Sequence, residues 1–215
     1  MTQTPRKFRR EPAEQRKDAL IQAALALIAE HGVRGATVRA IAERANVTQG
    51  LIRHYFTSKE DLISAAYAFH MGRMTDLTTA PDVSQGTTAR ARLAAFVTAG
   101  LRPPVVDPAS VSLWASFLNK VREDARMCAI HEQTYHDFRD RLEGLIAMAL
   151  AEADITTTPT HLRHLAIACN AVIDGLWMEG GALPDAFEPG ELPRIGLRSI
   201  SAIIGLDLQE TGHPS

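Results

Sequence analysis

Cysteine is close to absent. Only Cys128 and Cys169 occur among 215 residues, far apart and without a CxxC pair, which argues against a disulfide framework or a structural metal site and fits a reducing cytoplasm. Long apolar runs are missing too. No stretch approaches the roughly 18–20 uninterrupted apolar residues that a membrane span needs, and no apolar segment follows the basic N-terminus as a secretory signal requires. The signatures of common enzymes are lacking: there is no GxSxG, no GxGxxG after a strand, no HExxH and no P-loop. Catalysis is therefore not expected, and no cofactor is implied. No alternating polar–apolar run is long enough for a strand, and there is neither an internal repeat nor a low-complexity tract.

What is present is helical periodicity. With 46% hydrophobic residues, the chain can bury one large core or two modest ones. In 13–31, Leu20, Ala23, Ala24, Leu27 and Ile28 follow the i, i+3, i+4, i+7, i+8 spacing of one buried face, and Gly32 supplies a stop. Thr37 is placed to cap a short helix over 38–45, and Thr48 to cap another running to about Tyr55. Ser58-Lys59-Glu60-Asp61 approximates a capping box that opens a fourth helix. Residues 80–88 read as a loop. Further helices are expected near 88–101, 108–119, 122–152, 160–181 and 189–205, separated by Pro103-Pro104, Pro108, Thr156 to Pro159 and Gly180 to Pro184. The fold class is all-α with about nine helices. An N-terminal domain over 1–57 is followed by a larger helical domain over 58–215.

The overall charge of −2 hides an uneven distribution. Residues 1–62 carry 11 Lys+Arg against 7 Asp+Glu, a balance of +4, whereas the remainder carries 12 against 18, a balance of −6. A basic module joined to an acidic body confines any phosphate contact to the first sixty or so residues. Arg6, Lys7, Arg9 and Arg10 form a basic arm that reads equally well as a solvated tail.

The two short helices within that module meet several constraints at once. Ala42 is small where the helices must approach. Asn46 occupies the turn and tolerates left-handed backbone better than other non-glycine residues. Val47 can tuck beneath the turn, and Ile52 gives the second helix a buried side. The opposite side then presents Thr48, Gln49, Arg53 and His54, with Gly50 allowing close backbone approach to a phosphate. Gln pairs with adenine and Arg with guanine in the major groove, each good pair worth about 1–3 kcal/mol of discrimination. Thr37, Thr48 and Lys59 stand at helix starts, where hydroxyls, free amides and the helix dipole favour phosphates, and Tyr55 offers a phenol to the backbone. For any one of these residues a solvated polar face is the ordinary reading; as a set they match a helix-turn-helix docking geometry.

Residues 37–62, TVRAIAERANVTQGLIRHYFTSKEDL, resemble the DNA-binding module of TetR-family regulators. Asn46 stands where glycine is commoner, and Arg53 where Tyr is often found, so an altered operator preference is implied. The resemblance implies about nine helices, three of them in the DNA-binding domain, and a larger regulatory domain. AVIDGLWMEGGAL (171–183) and LWASFL (113–118) resemble BetI-type regulators, which repress glycine-betaine synthesis genes and respond to choline. What this implies is a homodimeric repressor that reads a palindromic double-stranded operator and is released by a small-molecule effector such as choline or a related quaternary amine. A regulator with a different effector, or with none, remains the alternative.

For a cationic effector the candidate ligands are Trp114, Phe117, Tyr135, Asp174 and Trp177, because a quaternary ammonium favours aromatic faces and a carboxylate. Core packing is the ordinary reading of each aromatic alone. Asp174 is the most informative, lying in an otherwise apolar helix where a buried carboxylate needs a partner or a cationic ligand. His161 and His164 share a helix face but lack a third ligand, so no metal site is expected. Cys128 and Cys169 read as structural cysteines. The last two long helices, about 160–181 and 189–205, are the candidate dimer surface, with Gly175, Gly180 and Gly181 allowing close approach.

Overall fold

A computed structural model describes residues 13–79 and 87–208. The basic arm, most of the 80–88 loop and the last seven residues lie outside the described part. Nine α-helices and one short 3-10 turn occur among the described residues, with no strand. None of these helices is long and apolar enough to cross a membrane. The chain divides into two compact units, Met1–Tyr67 and Ala68–Ser215. The division falls inside the fourth helix, later than the expected break at 57/58, because buried Leu62, Ile63, Ala66 and Tyr67 group with the first unit.

The first unit holds α1 (Ala13–Gly35), α2 (Val38–Arg44), α3 (Gln49–Tyr55) and the start of α4 (Lys59–Thr79). Leu20, Ala24, Ile28, Ile41, Ile52 and Leu62 form its buried interior. Gly32 interrupts α1 at φ 68°, ψ 173°, a conformation open to glycine but strained for other residues. A bidentate pair from the Arg44 guanidinium to the Glu30 carboxylate, at 2.8 and 2.6 Å, ties the end of α2 to α1. Thr37 Oγ1 accepts from Ala40 N–H and Thr48 Oγ1 from Leu51 N–H, so both expected caps form. Asn46 adopts φ 54°. Its N–H donates to Glu43 O and that of Val47 to Ala42 O, the paired bonds of a Schellman ending that places a left-handed residue after the helix. At the start of α4, Ser58 Oγ accepts from Asp61 N–H, while the Asp61 carboxylate accepts from Thr57 N–H rather than Ser58 N–H. The capping box is shifted by one residue.

The second unit holds the rest of α4 with α5 (Ala89–Gly100), α6 (Pro108–Glu123), α7 (Ala125–Glu152), α8 (Pro159–Ala182) and α9 (Glu191–Ile204). Its core joins Leu93 and Val97 of α5, Leu142 and Ile146 of α7, Ala166, Cys169 and Ile173 of α8, and Ile200 of α9. Asp107, Asp124 and Thr158 cap α6, α7 and α8 with their side-chain oxygens. The Glu152 carboxylate at the end of α7 accepts from Ala89 N–H and Arg90 N–H, closing the start of α5. These two backbone bonds hold the Glu152 pKa below the usual carboxylate value.

The glycines of α8 require a correction. Gly180 and Gly181 are buried within the protomer, where a Cβ would collide with Leu192 and Val106 in one case and with Val111 in the other. They allow close approach of the unit's own elements rather than of a second chain. Gly175 alone faces open space.

Candidate functional site

Two sites emerge, one in each unit. In the first, α3 buries Ile52 and exposes Gln49, Gly50, Arg53 and His54, with Thr37 and Thr48 also exposed at the preceding caps. The arginines of α2 and α3 divide into two groups. Arg39 pairs with Glu43 at 2.9 Å and Arg44 with Glu30, whereas Arg53 makes no hydrogen bond or ion pair among the described residues. A Cβ at Gly50 would meet only Thr48 Oγ1, at 3.8 Å, so the protein's own packing does not demand glycine there. Tyr55 is half-buried and packs edge-to-face on His54, with centroids 5.1 Å apart. Lys59 is also half-buried, and its Nζ donates to Val33 O at 3.3 Å. Its ammonium ties α4 to the α1–α2 junction, a role its helix-start position did not suggest.

The second site is a cavity of about 90 Å³ inside the larger unit, walled by α4, α6, α7, α8 and the segment after α5. One water needs roughly 10–15 Å³ of such space, so the cavity holds a few waters or one small molecule. Trp114, Tyr135, Asp174 and Trp177 all line it. Phe117 does not: it is completely buried on the core side of α6. Its i+3 spacing from Trp114 suggests a shared face, but the site takes one side of α6 and the core takes the other.

The Trp177 indole N–H donates to Val105 O at 2.9 Å, which fixes the ring. Trp114 meets Trp177 at right angles, centroids 5.7 Å apart. Asn170 Nδ2 donates to Asp174 Oδ2 at 2.8 Å. Burial pushes the Asp174 pKa up to about 6 against the pull of Asn170 and Arg139. Burial, followed by the Asp174 charge, pushes the Tyr135 phenol up to about 12. The arrangement is an apolar box with one incompletely compensated carboxyl group.

Sequence reasoning missed the α4 wall, formed by His70, Met71, Met74, Thr75 and Thr78, and also missed Asn170. Asn170 lies one turn before Asp174, and that i, i+4 spacing was the available signal. His70 left no comparable signal in the sequence. No group of three or more His, Cys, Asp or Glu side chains is arranged for a metal among the described residues.

Residues 20–66 match the family model for bacterial regulatory proteins of the tetR family, and residues 89–205 match that for the C-terminal part of BetI-type transcriptional repressors. The chain belongs to the TetR family. An HTH-type transcriptional regulator BetI of Burkholderia ambifaria is 30% identical over 167 residues, covering 78% of this chain and 82% of that protein. A Pseudomonas aeruginosa PAO1 protein assigned as a transcriptional regulator has the same fold, with a TM-score of 0.80 and 32% identity over 93% of this chain and 95% of its own. A Saccharomonospora viridis protein, also assigned as a transcriptional regulator and solved in complex with choline, matches with a TM-score of 0.72 and 18% identity, covering 87% and 96% of the two chains. This TetR-family chain is thus a DNA-binding transcriptional regulator with a BetI-type C-terminal domain.

The cavity carboxyl makes a stability statement. Its folded pKa of about 6 lies above the ordinary 3.8, so the native state holds a proton that the unfolded chain releases. Stability therefore falls as pH rises from about 4 to 6, and the full penalty applies above that. Asp174→Asn keeps an acceptor for Asn170 and removes the penalty. The variant should melt about 8 °C higher at pH 7.5, for a gain of at most about 3 kcal/mol. The difference should vanish near pH 4. Equal melting temperatures at both pH values would mean that the carboxyl is not desolvated.

Proposed function

We propose that this TetR-family regulator is a homodimeric repressor that reads a palindromic operator through α3 and leaves it when a small organic cation enters the cavity. The DNA contacts are assigned to Thr37, Thr48, Gln49, Gly50, Arg53, His54, Tyr55 and Lys59. Arg53 is the principal base reader, supported by its exposure and its lack of an acidic partner. Thr37 and Thr48 present free helix-start amides to phosphates, and Gly50 lets a phosphate come near the backbone. Lys59 must exchange its bond to Val33 O for a phosphate if it is to contribute. The dimer is assigned to α8 and α9, where Ile167, Met178 and Ile195 are exposed apolar residues beside the unfilled face of Gly175. Each protomer then supplies one half-site reader, roughly 34–36 Å from the other in successive major grooves. Arg53→Ala should weaken binding to DNA from the protein's own upstream region about 10- to 100-fold in a mobility-shift assay, consistent with the loss of one base contact. Unchanged affinity would remove Arg53 from the interface.

The observation that carries the effector reading is the pairing of perpendicular Trp114 and Trp177 with the buried Asp174 carboxyl in one small cavity. Aromatic faces and a carboxylate are what a quaternary ammonium requires, and choline is the reference candidate, as the ligand of the Saccharomonospora viridis neighbour. The cavity volume suits a compact head group better than a long acyl chain. Among the groups facing Asp174, Asn170 on α8 is neutral, Arg139 on α7 is cationic and favours ionisation, and Tyr135 keeps its proton. His70 on α4 is neutral as well, its pKa lowered to about 4 by burial and by Arg73. Between pH 5 and 8, ionisation of the site is therefore that of Asp174. Choline affinity, followed by calorimetry, should rise about tenfold from pH 5 to pH 7.5 and level off above, because protons compete with the cation for a carboxylate of pKa about 6. A flat profile, or no binding, would contradict a cation site at Asp174.

A further inference from the structure

Most Lys and Arg side chains in the described part of the first unit are already engaged. Arg39 and Arg44 hold acidic partners, Lys59 donates to Val33 O, and Lys17 lies 5.9 Å from the centre of the Phe56 ring. Arg53 stands on the exposed side of α3. Arg16 and Arg34 remain, near opposite ends of α1. Arg16 is half-buried, whereas Arg34 is exposed and makes no hydrogen bond or ion pair among the described residues. The backbone that carries Arg34 is held at several points. Gly32 turns the chain at φ 68°, a Cβ at Gly35 would collide with His31 Cβ, and Thr37 N–H donates back to Gly35 O at 2.8 Å. Arg34 follows directly on the Val33 carbonyl that accepts from Lys59 Nζ at 3.3 Å, so the start of α4 braces the same turn. On the flanking turns, the Glu30 carboxylate is committed to Arg44 and the Asp61 carboxylate to Thr57.

We infer that Arg34 is a further DNA ligand, a guanidinium at the α1–α2 junction that grips a backbone phosphate while α3 reads bases. A planar guanidinium offers two parallel N–H groups to phosphate oxygens. An arginine carried on a braced turn, away from the reading helix, suits the part of the contact that fixes register and carries no sequence information. Lys59 acts as the brace of that turn. The inference rests on the DNA-facing assignment of α3 and extends it: Arg53 supplies sequence preference, and Arg34 supplies grip that is the same on any duplex. The two roles differ in what salt and sequence do to them. A phosphate contact releases counterions from DNA and so steepens the salt dependence of binding, whereas a base contact changes the ratio of affinities between sequences.

The test is fluorescence anisotropy of the full-length protein in a salt series, with two duplexes of equal length: DNA from its own upstream region and a shuffled version. Each lost phosphate contact lowers the slope of log affinity against log salt by about 0.9, so Arg34→Ala should lower it by about 2 for a dimer, on both duplexes. Affinity should fall by a common factor, leaving the preference for the upstream duplex unchanged. Arg34→Lys, which keeps the charge, should keep the wild-type slope. Arg53→Ala should instead lose the preference. Because Arg34 bonds to nothing in the protein, Arg34→Ala should also melt at the wild-type temperature. A wild-type slope in Arg34→Ala, or an equal loss of slope in Arg34→Lys, would overturn the inference while leaving the assignment of α3 standing. So would a lowered melting temperature, which would make Arg34 a structural residue. Failure of the wild type to bind either duplex would overturn the assignment of α3 and this inference together.

Discussion

Ionising a carboxyl group inside an apolar cavity costs several kcal/mol unless a donor or a cation meets it. Asp174 has the Asn170 amide at 2.8 Å and the charge of Arg139, and together they fail to bring its pKa back to the ordinary value. The second unit is arranged around this residue. α8 carries it between the buried Ile173 and the cavity-lining Trp177, α7 brings Tyr135, α6 brings Trp114 and α4 closes the remaining side. Gly180 and Gly181 let the end of α8 lie close to Val106, Val111 and Leu192, beside the Val105 carbonyl that fixes Trp177. A core selected for stability alone would place an apolar residue at 174. Under the proposed function, an arriving cation is what would satisfy this carboxyl and so favour one state of the regulator.

The first unit distributes its charges by a similar logic. Arg39 and Arg44 are spent on intramolecular pairs that define α2 and fasten it to α1. Exposed ion pairs add little stability individually, but they give Arg39 and Arg44 acidic partners of their own. The exposed side of α3 is left with Gln49, Arg53 and His54, while Ile52 anchors the opposite side. The Schellman ending at Asn46 sets where α3 begins. The reading face thus depends on a short stretch of backbone hydrogen bonds.

Much of this was legible in the sequence where local chemistry decides the outcome. Thr37 and Thr48 cap because a hydroxyl three residues before a free amide has one good use, and Asn46 turns because few other side chains tolerate positive φ. Four of the five ligand candidates share the cavity because aromatics and an acid on periodic helices declare a common face. The misreadings arose where tertiary packing decides. Phe117 follows the same helical spacing as Trp114 yet belongs to the core. Gly180 and Gly181 signal close approach without naming the partner, which proved to be the same protomer. Lys59 stands at a helix start, and its bond to the Val33 carbonyl of α1 is a tertiary contact that its position in the sequence did not name. His70 was invisible because only the folded arrangement brings it to the cavity wall.

The central claim is that a cation at Asp174 governs the hold on DNA. It is tested most directly by fluorescence anisotropy of a preformed complex between the full-length protein and its upstream DNA, titrated with choline at pH 7.5. The expected result is a fall to the anisotropy of free DNA for the wild type and a complex that persists for Asp174→Asn. A wild-type complex that ignores choline, or an Asp174→Asn complex that dissociates at the same choline concentration, would contradict it.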